Sequence, residues 1–118
     1  MQYMLLIYTD DAATARLEQT EVTKMMSDYG TFTQSIIAAG QFKAGDRLRP
    51  IAEAKTVRLH DGRPTVTDGP FAETREQLGG YYLVEAKDVE EATSIATRIP
   101  GARYGSVEVR PVWLMEQR

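Results

Sequence analysis

The sequence contains no cysteine and only one histidine, His60. The missing thiols exclude disulfide bonds, iron–sulfur clusters, thiolate nucleophiles and cysteine-based zinc sites. A small domain without cysteine fits a reducing compartment, so we expect a cytoplasmic protein. Because the single histidine sits beside a predicted turn, no Ser–His nucleophile–base pair can be assembled. We expect no metal or redox cofactor.

Long apolar runs and basic clusters are missing as well. The apolar run at residues 3–8 is too short to cross a membrane and follows no basic leader, so we expect no membrane partner. Lys and Arg number 14 against 17 Asp and Glu, and no basic run occurs. The electrostatic footprint of a nucleic-acid-binding protein is therefore absent. The 118 residues, without repeat or linker, predict one domain over residues 1–118.

Two helices are predicted from apolar stripes of helical spacing. The first covers residues 22–37, with Thr20 as N-cap and Gly40 as its C-terminal stop. The second follows the Asp88 and Glu91 pair, which resembles a capping box, and ends at Pro100. The stripe of the first helix predicts a group of core side chains, namely Met25, Met26, Tyr29 and Phe32.

Strands are predicted at residues 3–8, 42–48, 81–86 and 106–113. A hairpin is predicted around Asp61–Gly62, a strong two-residue turn signal that sets Val57 opposite Val66. Pro64 cannot donate a ladder hydrogen bond, so this hairpin should lie at a sheet edge.

This order of elements predicts an α+β fold: a ferredoxin-like split βαβ subunit with an extra β-hairpin, in which two helices cover one face of an antiparallel sheet. The strands, however, carry apolar residues on both faces, and the chain has no spare element to cover the second face. We therefore expect a homodimer, buried through the face with Met4, Leu6, Tyr82 and Val84 or through the alternate set.

Residues 66–80, VTDGPFAETREQLGG, combine turn residues and charge more densely than an ordinary connection. With residues 3–7, 39–40 and 105–111, this motif resembles the signature of DGPF proteins, which belong to the YCII-related family of the dimeric α+β barrel superfamily. The resemblance extends along nearly the whole chain. It implies a ferredoxin-like subunit whose free sheet face packs on a twofold partner.

The resemblance implies no established activity for most DGPF members, although the family is often encoded beside extracytoplasmic-function sigma factors. Better-studied YCII branches look like enzymes built on a histidine–aspartate pair near the first helix. His60 matches no such position, so that pair is not carried over to this chain.

The motif offers two candidate catalytic carboxylates, Asp68 and Glu76. Asp68 either stabilises the turn with Gly69 and Pro70 or, if buried at the mouth of a cleft, acts as a general acid or base. Glu73 and Glu76 would share one face of a helical turn beside Arg75. These three form either a solvated charge cluster or a binding site for a polar or anionic molecule.

Three further residues are candidate ligand contacts, namely Tyr82, Glu108 and Arg110. Glu108 and Arg110 alternate with Val107 and Val109, so they should project away from the helices, either as an ion pair or as a ligand contact. Tyr82 could line a pocket, although strand aromatics more often form core.

Two functions fit these features. One is a cofactor-independent enzyme that uses carboxylate acid/base chemistry on a small polar or aromatic molecule in a cleft of the dimeric barrel. The other is a non-catalytic module for small-molecule sensing or protein interaction, linked to sigma-factor regulation. An enclosed pocket around Asp68 would favour the enzyme, and a filled barrel would favour the binding module.

Overall fold

A computed structural model of the chain describes residues 1–114. Within this range the strands and helices follow the order β1 (Gln2–Thr9), α1 (Asp11–Ala15), α2 (Gln19–Ala38), β2 (Phe42–Arg47), β3 (Lys55–His60), β4 (Arg63–Asp68), β5 (Gln77–Glu85), α3 (Val89–Thr97) and β6 (Gly105–Pro111). Single 3-10 turns lie at Ile51–Glu53 and Pro100–Arg103. No helix among the described residues is both long enough and apolar enough to cross a membrane.

The main sheet has four antiparallel strands in the order β2–β5–β1–β6. This is the ferredoxin-like order, so the predicted fold class is confirmed. Helices α2 and α3 cover one face of the sheet, where Leu5, Ile36, Val84, Ile95 and Ile99 are fully buried. The structure thus gives one helix-covered face and one open face.

Helix α2 begins slightly before the predicted start. Its N-cap is Glu18, whose backbone N–H donates to Glu21 Oε1 at 3.0 Å, so the prediction of Thr20 is wrong. The prediction of Gly40 is confirmed, because this glycine follows the helix with a φ of 73° that other residues avoid. The predicted core stripe is only partly right. Phe32 is buried, but Met26 is 51% exposed on the outer side of the helix.

The prediction missed α1, which has no buried residue and hence no apolar stripe. The short helix is held at its start by Asp10, whose Oδ1 accepts from the N–H groups of Ala12 and Ala13.

The hairpin of β3 and β4 has the predicted register, with Val57 opposite Val66 and Arg58 opposite Thr65. Its position differs from the prediction. The two strands form a sheet of their own and do not extend an edge of the four-stranded sheet. We call residues 55–68 the arm, and we call the four-stranded sheet with its three helices the body.

Strand β5 starts at Gln77, four residues before the predicted start. Gly79 and Gly80 therefore lie inside a paired strand and do not form a turn before it. A Cβ atom on Gly80 would lie 2.9 Å from the backbone oxygen of Asp46 on β2. The glycine is needed there because the two backbones approach closely.

Candidate functional site

The open face is built from side chains that stand in rows across the four strands. In one row, Asp46 on β2 lies beside Tyr81 on β5, which lies beside Leu6 on β1, which lies beside Glu108 on β6. The neighbouring row contains Ala44, Leu83, Met4 and Arg110 in the same strand order. The open face consequently has an apolar centre with charged residues at both flanks.

The apolar centre is made of partly exposed side chains, namely Met4, Leu6, Tyr8, Tyr81 and Leu83. The structure thus corrects the prediction of which residues of β1 and β5 share a face of the sheet. Leu5 pairs with Tyr82 while Leu6 pairs with Tyr81, so Tyr82 and Val84 point toward the helices. The homodimer surface predicted as Met4, Leu6, Tyr82 and Val84 mixes the two faces of the sheet.

Glu108 and Arg110 occupy the positions that the alternation of β6 predicts. Val107 and Val109 pack against the core, and the two charged residues lie on the open face. Arg110 Nε lies 3.6 Å from Glu108 Oε2, which confirms the predicted ion pair. Both side chains remain largely exposed in the subunit, so they are available to a ligand or to a second chain.

Glu76 is fixed beside this flank of the open face. Its Oε1 accepts a hydrogen bond of 2.8 Å from the hydroxyl of Ser106, which lies opposite Tyr8 in the sheet. The Glu76 side chain therefore crosses the end of β1 and reaches β6. Ser106 was not among the predicted site residues, although its alternation with Glu108 and Arg110 indicates a place on the same face.

At the opposite flank, the hydroxyl of Tyr81 donates a 2.6 Å hydrogen bond to Asp46 Oδ2. This bond raises the pKa of Tyr81 above its ordinary value, because ionising the phenol would lose the bond and set two negative charges side by side. Partial burial acts in the same direction. The pair keeps a neutral phenol on the open face.

Asp68 does not have the environment that its predicted catalytic role requires. Its side chain is 84% exposed at the end of β4 and pairs with Lys55 across the arm. The following Gly69 has a φ of 98°, its N–H donates to Ala54 O, and its own carbonyl accepts from Thr56. Within the subunit, Asp68 and Gly69 stabilise the base of the arm, as the structural interpretation of the motif expects.

The segment between Gly69 and Gln77 forms no helical turn, so Glu73 and Glu76 do not share a helix face. Glu73 and Arg75 are exposed, and no ion pair joins them among residues 1–114. The segment is instead held by Gln77, whose buried Nε2 donates to Ala72 O at 2.6 Å and to Thr74 O at 2.8 Å. No sequence signal marks Gln77, because its role depends on the loop path.

The motif borders a shallow cleft of about 300 Å³ at the base of the arm. Pro70 and Leu78 form one wall, and the connection from Leu48 to Ala54 forms the other. Leu78 lies opposite Tyr8 on the same side of the sheet as the apolar centre, so the cleft adjoins the open face.

The remaining candidate, Tyr82, lies elsewhere, as do His60 and Trp113. Tyr82 is an edge-to-face neighbour of Phe32 and Phe42, with ring centroids 5.1 and 6.4 Å away, and its hydroxyl lies 2.7 Å from Thr33 Oγ1. It is a core residue in the subunit. His60 is exposed at the arm tip, as predicted, and Trp113 is exposed after β6.

No group of three or more His, Asp or Glu side chains among residues 1–114 converges closely enough to hold a metal ion. The candidate site thus combines Glu76, Ser106, Glu108 and Arg110 at one flank of the open face with the Tyr81–Asp46 pair at the other.

Comparison with known proteins adds two findings. The model of the YCII-related domain family matches residues 1–116. A protein of Rhizobium meliloti (strain 1021) that is described as uncharacterized is 37% identical to this chain over 116 residues, which cover 97% of this chain and 94% of that protein.

Proposed function

This chain belongs to the YCII-related domain family, and we propose that it works as a homodimer that binds a small polar or aromatic molecule against its open face. The motif at residues 68–71 supports its placement in the DGPF branch of that family.

Two bulk properties support a dimer. The chain exposes 8398 Å² of accessible surface, whereas a monomeric protein of this size exposes about 6,400 Å². Its radius of gyration is 16.2 Å, whereas a compact domain of this length has about 13.5 Å. The excess surface, roughly 2,000 Å², exceeds the approximately 800 Å² that each partner buries in a standard interface.

The distribution of apolar side chains supports the open face as the dimer surface. Met4, Leu6 and Leu83 form a continuous apolar centre with charged flanks, which is the usual anatomy of a protein interface. Packing two such faces together would remove the apolar centres from water. The flanking residues would then surround any space that remains between the two sheets.

Sedimentation velocity tests the dimer, with Leu6→Arg as the disrupting variant and Met26→Arg as the matched control on the outer side of α2. We expect a dimer at micromolar concentration for the wild type and for Met26→Arg. Leu6→Arg should sediment as a monomer or fail to fold, because an unpaired guanidinium would be buried. A monomeric wild type would refute the proposal.

One observation carries the ligand site: the Ser106–Glu76 hydrogen bond and the Arg110–Glu108 ion pair follow each other along the open face of β6, beside the apolar centre. Arg110 can clamp a carboxylate or phosphate through its planar guanidinium, and Tyr81 offers an aromatic face. Glu76, fixed by Ser106, is the carboxylate best placed to exchange a proton with a bound molecule. We assign the acid/base role to Glu76 and not to Asp68.

The other motif residues enter this proposal through the dimer. Asp68, Glu73 and Arg75 lie on the arm and on the loop that leads from it to the open face. Arg75 and Glu73 are exposed in one subunit, so in this proposal they contact the ligand where the second subunit closes over the loop.

Thermal shift measurements with a panel of small carboxylates, amino acids and aromatic acids test the site. Glu76→Gln and Arg110→Met should keep the unliganded melting temperature within about 2 °C, since exposed substitutions rarely exceed about 0.5 kcal/mol, and should abolish the ligand shift. Glu90→Gln, at an exposed position of α3, is the control that should keep the ligand shift. If no compound shifts the wild type while Asp68→Asn, Glu76→Gln and Arg75→Met all lower stability, the motif serves the fold alone.

A second candidate, a non-catalytic sensing module in sigma-factor regulation, is favoured by the exposure of Asp68. A proton NMR time course of the bound compound separates the two candidates. Conversion that Glu76→Gln abolishes supports the enzyme, and an unchanged spectrum with stable binding supports the sensor.

A further inference from the structure

A second cavity among the described residues lies away from the open face. It is a groove of about 520 Å³ between α2 and the turn that follows α3. Its charged lining residues are Lys24, Asp28, Arg98 and Arg103. Three cations and one carboxylate give this groove a net charge of +2 in a chain whose net charge is −3.

The Asp28 carboxylate is shared by two of the three cations. Arg103 Nη2 donates to Asp28 Oδ2 at 2.9 Å, and Lys24 Nζ lies 3.2 Å from the same oxygen. The hydrogen bond from Arg103, followed by that from Lys24, lowers the pKa of Asp28. Asp28 is therefore ionised at neutral pH, yet it neutralises only one of its two partners.

Arg98 has no carboxylate partner among residues 1–114. Its guanidinium carbon lies 5.6 Å from the centroid of the Phe32 ring, and its Nη1 donates to Ser35 Oγ at 3.1 Å. These two contacts hold the guanidinium in one orientation at the groove wall. Within residues 1–114, the other guanidinium N–H groups of Arg98 donate no hydrogen bond.

Such an arrangement suits an oxyanion. A guanidinium whose orientation is already fixed loses little conformational freedom on binding, and its planar donors match a carboxylate or phosphate group. Arg103 keeps donors as well, because its recorded bonds use only Nε and Nη2. The apolar floor, Phe32 and Pro100, excludes water from one side of the bound group.

We propose that this groove binds the phosphate or carboxylate group of a small metabolite, with Arg98 and Arg103 as the two clamping residues. Lys24 adds charge at the entrance. The site is independent of the open face, because its residues lie on the helix-covered side of the molecule.

Amide chemical-shift titrations test this site with three probes at equal ionic strength: inorganic phosphate, citrate and, as the baseline, sodium chloride. We expect saturable shifts from phosphate or citrate at residues 24–35 and 97–103, and none of that kind from chloride. Comparing phosphate with citrate identifies which oxyanion the groove prefers.

The variants Arg98→Met and Lys24→Met show how much each of these side chains contributes to the affinity for the anion. Arg98→Met should weaken binding at least tenfold, and Lys24→Met about twofold to threefold. Arg63→Met, at the exposed arm, is the matched control and should leave the affinity unchanged.

Three outcomes would overturn the proposal. They are shifts that match those of chloride, shifts that map to the strands of the open face, and an affinity that Arg98→Met leaves unchanged. An acidic peptide that binds more tightly than both small anions would replace the metabolite with a protein partner.

Discussion

The body buries its large apolar side chains, whereas the arm exposes them to solvent. In the body, Leu5 and Ile36 are fully buried between the sheet and the helices. In the arm, Val57, Leu59 and Val66 are 63%, 72% and 60% exposed. They share one side of the hairpin, because Val57 faces Val66 and Leu59 faces Pro64.

The difference indicates that the body is stable by its own packing and that the arm is not. A two-stranded hairpin without a covering layer is marginally stable in water. The arm is held at its base by the contacts of Asp68 and Gly69, but no residue of the described chain covers its apolar side. In the proposed homodimer, the second subunit is the natural cover for that side.

Leucine truncations in the body and in the arm test this contrast most strongly. Leu5→Ala should lower the free energy of unfolding by about 2–5 kcal/mol, because a fully buried side chain leaves a cavity. Leu59→Ala should change it by less than about 0.5 kcal/mol at protein concentrations low enough for the protein to be monomeric, because the side chain is already exposed in the subunit. Urea denaturation measures both, and equal losses would show that the arm is packed within the subunit.

A second contrast uses two glycines at which an added methyl group meets no atom within 4 Å. Gly30 lies within α2, so Gly30→Ala should stabilise the protein by about 1 kcal/mol. Gly62 has a φ of 78° in the arm turn, so Gly62→Ala should destabilise it by about 1–2 kcal/mol. Both variants can be compared by thermal denaturation. A stabilising effect of Gly62→Ala would contradict the turn geometry of the arm.

A third contrast concerns two aspartates near chain turns. In the body, Asp88 Oδ1 accepts from the Glu91 N–H at the start of α3, so Asp88→Ala should cost about 1 kcal/mol. In the arm, Asp68 has an exposed ion pair, so Asp68→Asn should cost less than about 1 kcal/mol, and added salt should reduce that cost. A larger effect for Asp68 that does not depend on salt would indicate that its side chain is buried in the assembled protein, although it is exposed in the single subunit.

The smallest expected effect concerns Tyr81 on the open face. Asp46→Asn should lower the raised pKa of Tyr81, since the charged acceptor of its hydroxyl is removed. Because the folded-state pKa is the higher one, the stabilising contribution is complete below the unfolded pKa of about 10 and disappears as the pH rises through the folded value. Ultraviolet titration of the phenols measures the change. An unaltered Tyr81 titration would mean that the bond to Asp46 does not form.

The sequence predicted the parts of this structure that local patterns determine. Apolar periodicity indicated the strands, and the Asp61–Gly62 turn fixed the register of the arm. The alternation of β6 placed Glu108 and Arg110 correctly. The faces of β5 were harder to assign, because Tyr81 and Tyr82 are equally suited to either side until the pairing with β1 is known.

The candidate site was less predictable, because its members meet only through long-range pairing. Glu76 and Ser106 are 30 residues apart, and the end of β1 lies between them. Gln77 is buried only because the loop before it folds back over its amide. Asp68 was expected at a cleft from its motif, but the hairpin ladder carries it to the exposed base of the arm.

The position of β1 in the centre of the sheet has a consequence during protein synthesis. Its two neighbours are β5 and β6, so β1 is translated long before either partner strand exists. At roughly 5–20 residues per second, about 5 to 20 seconds separate its emergence from the completion of β6. Until β5 is complete this apolar segment has two unpaired edges, and until β6 is complete it still has one, so it is open to pairing with other chains. We therefore expect that shielding of β1 by the ribosome surface or by a chaperone during this interval increases the yield of folded protein.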